Sequence, residues 1–352
     1  MRDLPPSARA PLLILGFVAL VAGVAGGLVR LGFETPAPAA GISWHGALMA
    51  SAFFGTLISL ERAVAIGRSW AYLAPAAFGA GGIALLAGGT RAGFVLFAAG
   101  GVLFAAASGA IWLRQRALHT GVLALGALAL LAANLILLAG RPPEAAVPSW
   151  IAFFVLTIGG ERLELSRLAP VPKVARTAFG ALAAALLLAA LPFAPRVLGV
   201  LLLLMALWLA RYDIATRTVR AAGLTRYIAL CLLAGYAWLA FGGALLALSA
   251  VVGREPWDAA LHAILLGFVF SMVFGHAPVI LPAVLRIAIP YRAALYAPLA
   301  LLHLSLAVRV AGDLSASAPL RAAGGAGSAL AIALFIVTAA TLALSTLRKE
   351  PS

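Results

Sequence analysis

Long apolar runs alternate with short polar segments along the whole chain. A helix that crosses a bilayer needs about 20 predominantly apolar residues, and twelve runs of roughly this length occur. They fall near residues 11–33, 42–62, 69–89, 92–113, 117–140, 148–166, 174–193, 196–211, 225–251, 257–285, 292–312 and 324–347. Nothing resembles the ten-residue alternation of a membrane β-barrel. The pattern predicts an all-α polytopic membrane protein, with one transmembrane domain over 1–352 and a bundle of about 12 helices.

Composition excludes the soluble classes. The chain is 64% hydrophobic and 10% charged, whereas soluble domains average about 45–50% apolar and about 25% charged residues. The single cysteine, Cys231, lies inside an apolar run, and no CxxC or CxxCH motif occurs. Covalent c-type haem and cysteine-bound clusters are therefore not expected.

The formal charge of +14 agrees with the twelve-run map. With the N-terminus in the cytoplasm, 18 of the 25 Lys and Arg residues fall on the inner side. The seven on the outer side are Arg30, Arg91, Arg141, Arg196, Arg254, Arg309 and Arg321. This bias follows the positive-inside rule and predicts that both termini are cytoplasmic. The charge is topogenic, so a nucleic-acid partner is not expected.

The first run has a competing interpretation as a signal peptide. Arg2 and Arg9 precede it, and small residues near Ala37 could form a cleavage site. A signal h-region covers only about 7–15 residues, which is shorter than 11–33. We therefore interpret the run as the first span.

Five histidines are the main candidates for chemistry, since all lie inside or at the edge of a predicted span: His45, His119, His262, His276 and His303. His45 and His262 enter the second and tenth spans at similar depth from the outer side. Neutral imidazoles on two helices are natural axial ligands of a b-type haem. Asp258 lies four residues before His262 and could orient its ring through the carboxylate, or it is simply a solvated acid.

The other histidines suggest a second site in the inner leaflet. His276 follows His262 by 14 residues, which places both on one helix face about 21 Å apart. His303 or His119 could complete a metal site with His276. Histidines can also simply hydrogen-bond between helices.

Two further residues have both a structural and a cofactor-binding interpretation. Tyr236, in GYAWLAFG, either packs in the core or contacts a cofactor. Arg309 either pairs with Asp313, four residues later, or meets a haem propionate.

Two irregularities suggest a different function. The sixth run begins at Pro148 and reaches Glu161 and Arg162 too soon to cross a bilayer, so this charged pair is expected to be buried as an ion pair or in a proton path. The tenth run contains Pro278 and Pro282, which predict a broken helix. Broken helices near the midplane are typical of secondary transporters.

Three segments share a family pattern: WHGALMASAFFG in the second run, GYAWL in the ninth, and DAALHAILLGFVFSMVFG in the tenth. With these segments, the chain resembles the NnrS family of haem- and copper-containing membrane proteins linked to nitric oxide. The matching positions are Trp44, His45, Met49, Tyr236, Trp238, Leu239, His262, Gly267, Met272 and Gly275. The likeness extends along most of the chain in order and spacing.

The resemblance implies a bacterial inner-membrane protein that binds or responds to nitric oxide or a related small ligand. It implies a b-type haem held by His45 and His262, with Met49, Tyr236 and Arg309 as further contacts. His276 and His303 are the candidate ligands of copper.

The chain departs from the family at two places. Ala47 stands where a second histidine is typical, and GHAPVILP replaces an MTR…GHTG element. The wider resemblance is to haem–copper oxidase subunits, but no His-His pair occurs, so oxygen reduction is not expected.

Enzymatic turnover and oligomeric state stay open. The alternative function is a secondary transporter with a midplane site at the tenth helix and the Glu161–Arg162 pair. A third interpretation is a scaffold in which the histidines only pair helices.

Overall fold

The computed structural model describes residues 3–169, 171–191, 194–252 and 254–347. Within them, twelve helices are long and apolar enough to cross a membrane, and no strand occurs in this part of the chain. They are α1 (Pro6–Arg30), α2 (His45–Ile66), α3 (Ser69–Leu86), α4 (Thr90–Arg114), α5 (Leu118–Leu138), α6 (Pro143–Leu165), α7 (Lys173–Ala190), α8 (Pro195–Tyr212), α9 (Gly223–Leu248), α10 (Trp257–Leu285), α11 (Ala293–Leu314) and α12 (Ala318–Thr346). The chain is a multi-pass membrane protein, and the predicted all-α polytopic bundle is confirmed.

Three helices begin five or six residues earlier than predicted, and each begins at or beside a proline. α1 starts at Pro6 and α6 at Pro143, while Pro319 is the second residue of α12. Proline suits the first turn of a helix because its missing N–H has no intrahelical partner there. The predicted starts at residues 11, 148 and 324 are therefore wrong.

The shortness predicted for the sixth span is therefore wrong. α6 has 23 residues and continues through Pro148. Glu161 and Arg162 lie in its last two turns. At about 1.5 Å per residue, this helix is long enough to cross a hydrocarbon core of about 30 Å.

The described chain divides into two compact units. The first unit comprises residues 3–161 with 190–191, and the second comprises 162–189 with 194–347. The single domain over 1–352 stays a prediction. Residues 192 and 193 of the seventh predicted span, and the charges of Arg2, Arg348 and Lys349, lie outside the described residues.

Glycines bring helices into close contact in both units. In the first unit, Gly26 of α1 lies against the carbonyl oxygen of Gly41. In the second unit, Gly324 of α12 lies against the backbone of Arg309, and Gly312 lies against that of Arg321. Small residues permit such close approach where no hydrophobic force drives helices together. These contacts fix the backbone positions of Arg309 and Arg321 in the α11–α12 hairpin.

Two spans contain a π-helical segment. In α2 it covers Leu48–Phe54, and in α10 it covers Ala263–Phe270. Each begins within three residues of a candidate histidine, His45 or His262. π-Segments are rare and are frequently found at functional sites.

The predicted break in the tenth helix is wrong. α-Helix continues through Pro278 and Pro282 to Leu285, and Arg286 ends it in a left-handed conformation with φ 57°. The irregularity of α10 is instead the π-segment Ala263–Phe270, which ends eight residues before Pro278.

Candidate functional site

His262 is held by the main chain of its own helix. Its Nδ1 lies 2.8 Å from the carbonyl oxygen of Asp258 and 3.4 Å from Nη2 of Arg309. The carbonyl can only accept a hydrogen bond, so the shorter contact places the proton on Nδ1, and Nε2 is the atom with the lone pair. The contact to Asp258 thus exists, but the predicted role of its carboxylate is corrected. Any residue at this position would supply the same carbonyl oxygen.

A buried charge cluster lies beside His262, where the start of α10 meets the end of α11. Asp313 is only 1% exposed. Its Oδ2 lies 3.8 Å from Nε of Arg309, and its Oδ1 lies 3.4 Å from Nε of Arg321. Among the described residues neither carboxylate oxygen has a hydrogen-bond partner. The predicted Arg309–Asp313 pair is present as a long contact, and Arg321 from α12 completes a group that sequence reasoning missed.

His45 is held by a neighbouring helix. Its Nδ1 lies 2.6 Å from the carbonyl oxygen of Gly23 on α1. A Cβ placed at Gly27 would lie 3.1 Å from the ring carbon Cε1, so the imidazole packs on this glycine face. Met49 reaches the same region, since a Cβ at Gly23 would lie 2.8 Å from its Sδ. His45 and Met49 of α2 therefore both pack against the same face of α1.

Hydrogen bonds engage both nitrogens of His303. The indole Nε1 of Trp238 donates to its Nδ1 at 3.0 Å, and Oγ of Ser271 lies 3.4 Å from its Nε2. Because Nδ1 accepts, the proton of the neutral ring is on Nε2. Gly267 permits this arrangement, since a Cβ there would overlap the Trp238 ring.

His276 lies on the α10 segment beyond the π-segment. Its Nδ1 lies 2.9 Å from the carbonyl oxygen of Met272, one turn earlier. It is close enough to Arg162 and Asp213 to interact with them electrostatically. Within the described residues, no three His, Cys, Asp or Glu side chains converge on a common metal position.

The tightest polar network of the second unit centres on Asp213, a residue that sequence reasoning missed. Arg162 donates to both carboxylate oxygens, from Nε at 2.6 Å and from Nη2 at 2.9 Å. The backbone N–H of Ala215 and the hydroxyl of Tyr236 also donate to this carboxylate, at 2.6 and 3.1 Å. The signal was a lone acid in the basic segment RYDIATRTVR.

This network changes the interpretation of Arg162 and Tyr236. Arg162 pairs with Asp213 at 2.6 Å, and Glu161 lies 3.7 Å from Arg62 of α2. Tyr236 joins an ion pair through its hydroxyl, while its ring is buried beside Phe268. Glu161 and Arg162 thus each contact a residue outside α6, which agrees with the anchoring role that was one of the two sequence interpretations.

The residues that carry the family pattern in the tenth span mainly mediate packing between α9 and α10. A Cβ at Gly235 would lie 2.6 Å from Cε of Met272, and one at Gly275 would lie 3.0 Å from Cβ of Cys231. Cys231 also accepts a hydrogen bond through its carbonyl oxygen from Ser271 at 2.8 Å. These positions therefore support the contact between α9 and α10. Those two helices carry Trp238 and Ser271, the hydrogen-bond partners of His303.

Comparison with curated proteins found no match. A family model described as domain of unknown function (DUF8744) matches residues 9–344. This range includes all twelve spans apart from the first residues of α1 and the last residues of α12. The chain therefore belongs to the DUF8744 family.

Proposed function

We propose that this chain is an integral membrane haem-binding protein of the NnrS type, with His262 as an axial ligand and His45 as a second candidate ligand. The observation that carries the proposal is the hydrogen bond from Nδ1 of His262 to a main-chain carbonyl oxygen. Such a bond fixes the tautomer and ring orientation of a ligating histidine and makes the other nitrogen more basic. The same arrangement recurs at His45.

The surroundings of His262 fit an anionic cofactor edge. Arg309 is 8% exposed and touches the imidazole, so its guanidinium is a candidate partner for a propionate. Arginine suits this role because it presents several donors in a planar fork. A b-type haem would supply reversible binding of a diatomic ligand such as nitric oxide and one-electron chemistry.

Copper is the weaker part of the proposal. His276 has Nδ1 on a carbonyl oxygen and is the better of the two candidate ligands. The hydrogen bonds of His303 engage both of its ring nitrogens, which favours a structural role. We therefore propose haem as the primary cofactor and His276 as the residue to test for a metal.

The visible spectrum of the purified protein in detergent tests the haem. We expect a Soret band that sharpens on reduction and shifts when nitric oxide is added. His262→Ala should remove the haem, whereas His119→Ala, at the start of α5, should retain it. A colourless protein without iron, or unchanged haem in the His262→Ala variant, contradicts the proposal.

The cellular assignment is also a proposal. The arginine distribution and the family resemblance support a bacterial inner membrane with both termini in the cytoplasm. Cysteine accessibility scanning at each terminus, after replacing Cys231, measures the orientation directly. Labelling of both termini from the outer side would contradict it.

A second candidate function is ion-coupled transport, favoured by the buried Asp313 carboxylate between two arginines. Ionisable residues inside a membrane commonly mark ion or proton pathways. Proton uptake into liposomes under an imposed voltage tests this function. Uptake that Asp313→Asn abolishes, in a protein without haem, would favour transport over haem binding.

A further inference from the structure

An open apolar groove of about 620 Å³ lies between α7 and α8, within the second unit. One wall comes from α7 and carries Ala178, Ala181 and Ala185. These residues lie on one helix face because they are three and four positions apart. The opposite wall carries Leu204 and Leu207 of α8, which are 44% and 55% exposed. The groove is therefore an indentation in a surface that exposes apolar side chains.

Aromatic rings and a cation mark one end of the groove. The ring of Trp208 lies 4.5 Å from that of Phe179 and 5.3 Å from that of Tyr212. The guanidinium carbon of Arg211 lies over the Tyr212 ring at 5.1 Å from its centre. Trp208 is anchored, since its Nε1 donates to the carbonyl oxygen of Ala175 at 2.8 Å. Tryptophan and tyrosine are enriched at the level of lipid headgroups.

The charge that α7 and α8 carry at this end is positive. Neither α7 nor α8 contains an acidic residue, and Lys173 and Arg176 begin α7 at the same end. Asp213, which follows α8, is 0% exposed in its side chain and is bonded to Arg162. Its carboxylate therefore does not neutralise the exposed Arg211.

We propose that this groove binds an anionic phospholipid, with an acyl chain against the alanine wall and the phosphate at Arg211. The shape of the groove suits the acyl chain, because the alanine side chains leave room that larger side chains would fill. The cation accounts for the headgroup, since basic pockets between membrane helices bind anionic headgroups. In the orientation proposed above, this end lies in the cytoplasmic leaflet, where anionic lipids attract basic residues. The proposal is independent of haem binding.

Native mass spectrometry of the full-length protein, titrated with phosphatidylglycerol or phosphatidylcholine, tests the site. We expect the wild-type protein to retain phosphatidylglycerol in preference to phosphatidylcholine. Arg211→Ala should weaken phosphatidylglycerol binding by about fivefold, the effect of about one basic residue at a membrane surface. Ala181→Leu should lower retention of both lipids, because the larger side chain fills the groove.

Arg116 provides a matched control, because its guanidinium lies over the Trp112 ring at 4.5 Å and it does not line the groove between α7 and α8. Arg116→Ala should leave phosphatidylglycerol retention unchanged, and Arg211→Lys should restore most of it. Equal losses in the Arg116→Ala and Arg211→Ala variants would overturn the proposal, as would equal retention of the two lipids by the wild-type protein. A change of oligomeric state in the Ala181→Leu variant would assign the groove to a second copy of the chain instead.

Discussion

In the first unit, a network of neutral groups links four spans. The Ser51 hydroxyl of α2 donates to Asn134 of α5 at 2.6 Å, Asn134 donates to the carbonyl oxygen of Phe97 in α4 at 3.1 Å, and Trp150 of α6 donates to Ser51 at 3.2 Å. In the second unit, the network around Asp213 joins its helices through an ion pair, and a second charged group surrounds Asp313. These two networks thus bury polar groups of different cost.

The difference indicates where a function is built. A neutral hydrogen bond between membrane helices contributes only modestly to stability, because its donor and acceptor can find other partners when the helices separate. A buried charge is expensive unless it is paired, and such residues in membranes are usually functional. The neutral network is therefore explained by packing alone. The charged group beside His262 needs a further reason, and we propose that cofactor binding is that reason.

The largest expected effect comes from breaking the buried ion pair. Asp213→Asn keeps the shape but removes the carboxylate charge that pairs with Arg162, whose side chain is only 5% exposed. We expect a loss of about 3–5 kcal/mol in stability, measured as unfolding in detergent. Arg62→Gln is the control, because its contact to Glu161 is longer, at 3.7 Å, and the two side chains are 14% and 29% exposed, so we expect a smaller loss. Equal losses would remove the distinction between the two pairs.

The next effect tests the close contact that holds the α11–α12 hairpin. Gly324→Ala would place a Cβ against the backbone of Arg309, which cannot move as a side chain can. Such overpacking costs about 1–3 kcal/mol, and it should also displace the charge cluster. Gly109→Ala in α4 is the matched control, because its new Cβ meets nothing within 4 Å. That variant should be neutral or slightly stabilised, and a comparable loss of stability there would argue against the contact.

The neutral network should respond less than the ion pair. Asn134→Ala removes one donor and one acceptor and leaves the Ser51 hydroxyl without its acceptor. The expected cost is about 1–3 kcal/mol, read from the same unfolding measurement. A loss as large as that of Asp213→Asn would show that the two units do not differ in the way we infer.

The smallest effect should come from Tyr236→Phe. Asp213 keeps its two bonds from Arg162 and the backbone N–H of Ala215, so the hydroxyl is one donor among several. We expect a loss of about 0.5–1.5 kcal/mol and an unchanged visible spectrum. A loss of bound haem in this variant would instead support the sequence interpretation of Tyr236 as a cofactor contact.

Most of the fold could be predicted from the sequence, because the solvent of a spanning helix is uniform. Any run of about 20 apolar residues must form its own hydrogen bonds and therefore becomes a helix. This constraint gave all twelve spans. The first residues of three helices were not predicted correctly. Pro6, Pro143 and Pro319 are of a type common in loops, although proline also suits the first turn of a helix.

The candidate site was less predictable, because it depends on pairs of residues far apart in the chain. Asp213 meets Arg162 across 51 positions, and no local pattern encodes that distance. The acceptor for His262 was missed for another reason. The sequence shows the carboxylate of Asp258, whereas the helix offers its carbonyl oxygen to the ring four residues later. The π-segments likewise leave no signal in hydrophobic periodicity.

The α11–α12 hairpin has a consequence for how the chain is made. Helices of a polytopic protein enter the bilayer in the order of their synthesis. α11 carries Arg309 and Asp313 near its C-terminal end. An arginine that faces lipid is costly during insertion. Only residues 315–317 separate α11 from α12, and the glycine contacts let the two helices close at once, with Arg321 beside the carboxylate. The last two spans are thus suited to enter the membrane together, and the short connection serves biogenesis as well as the finished protein.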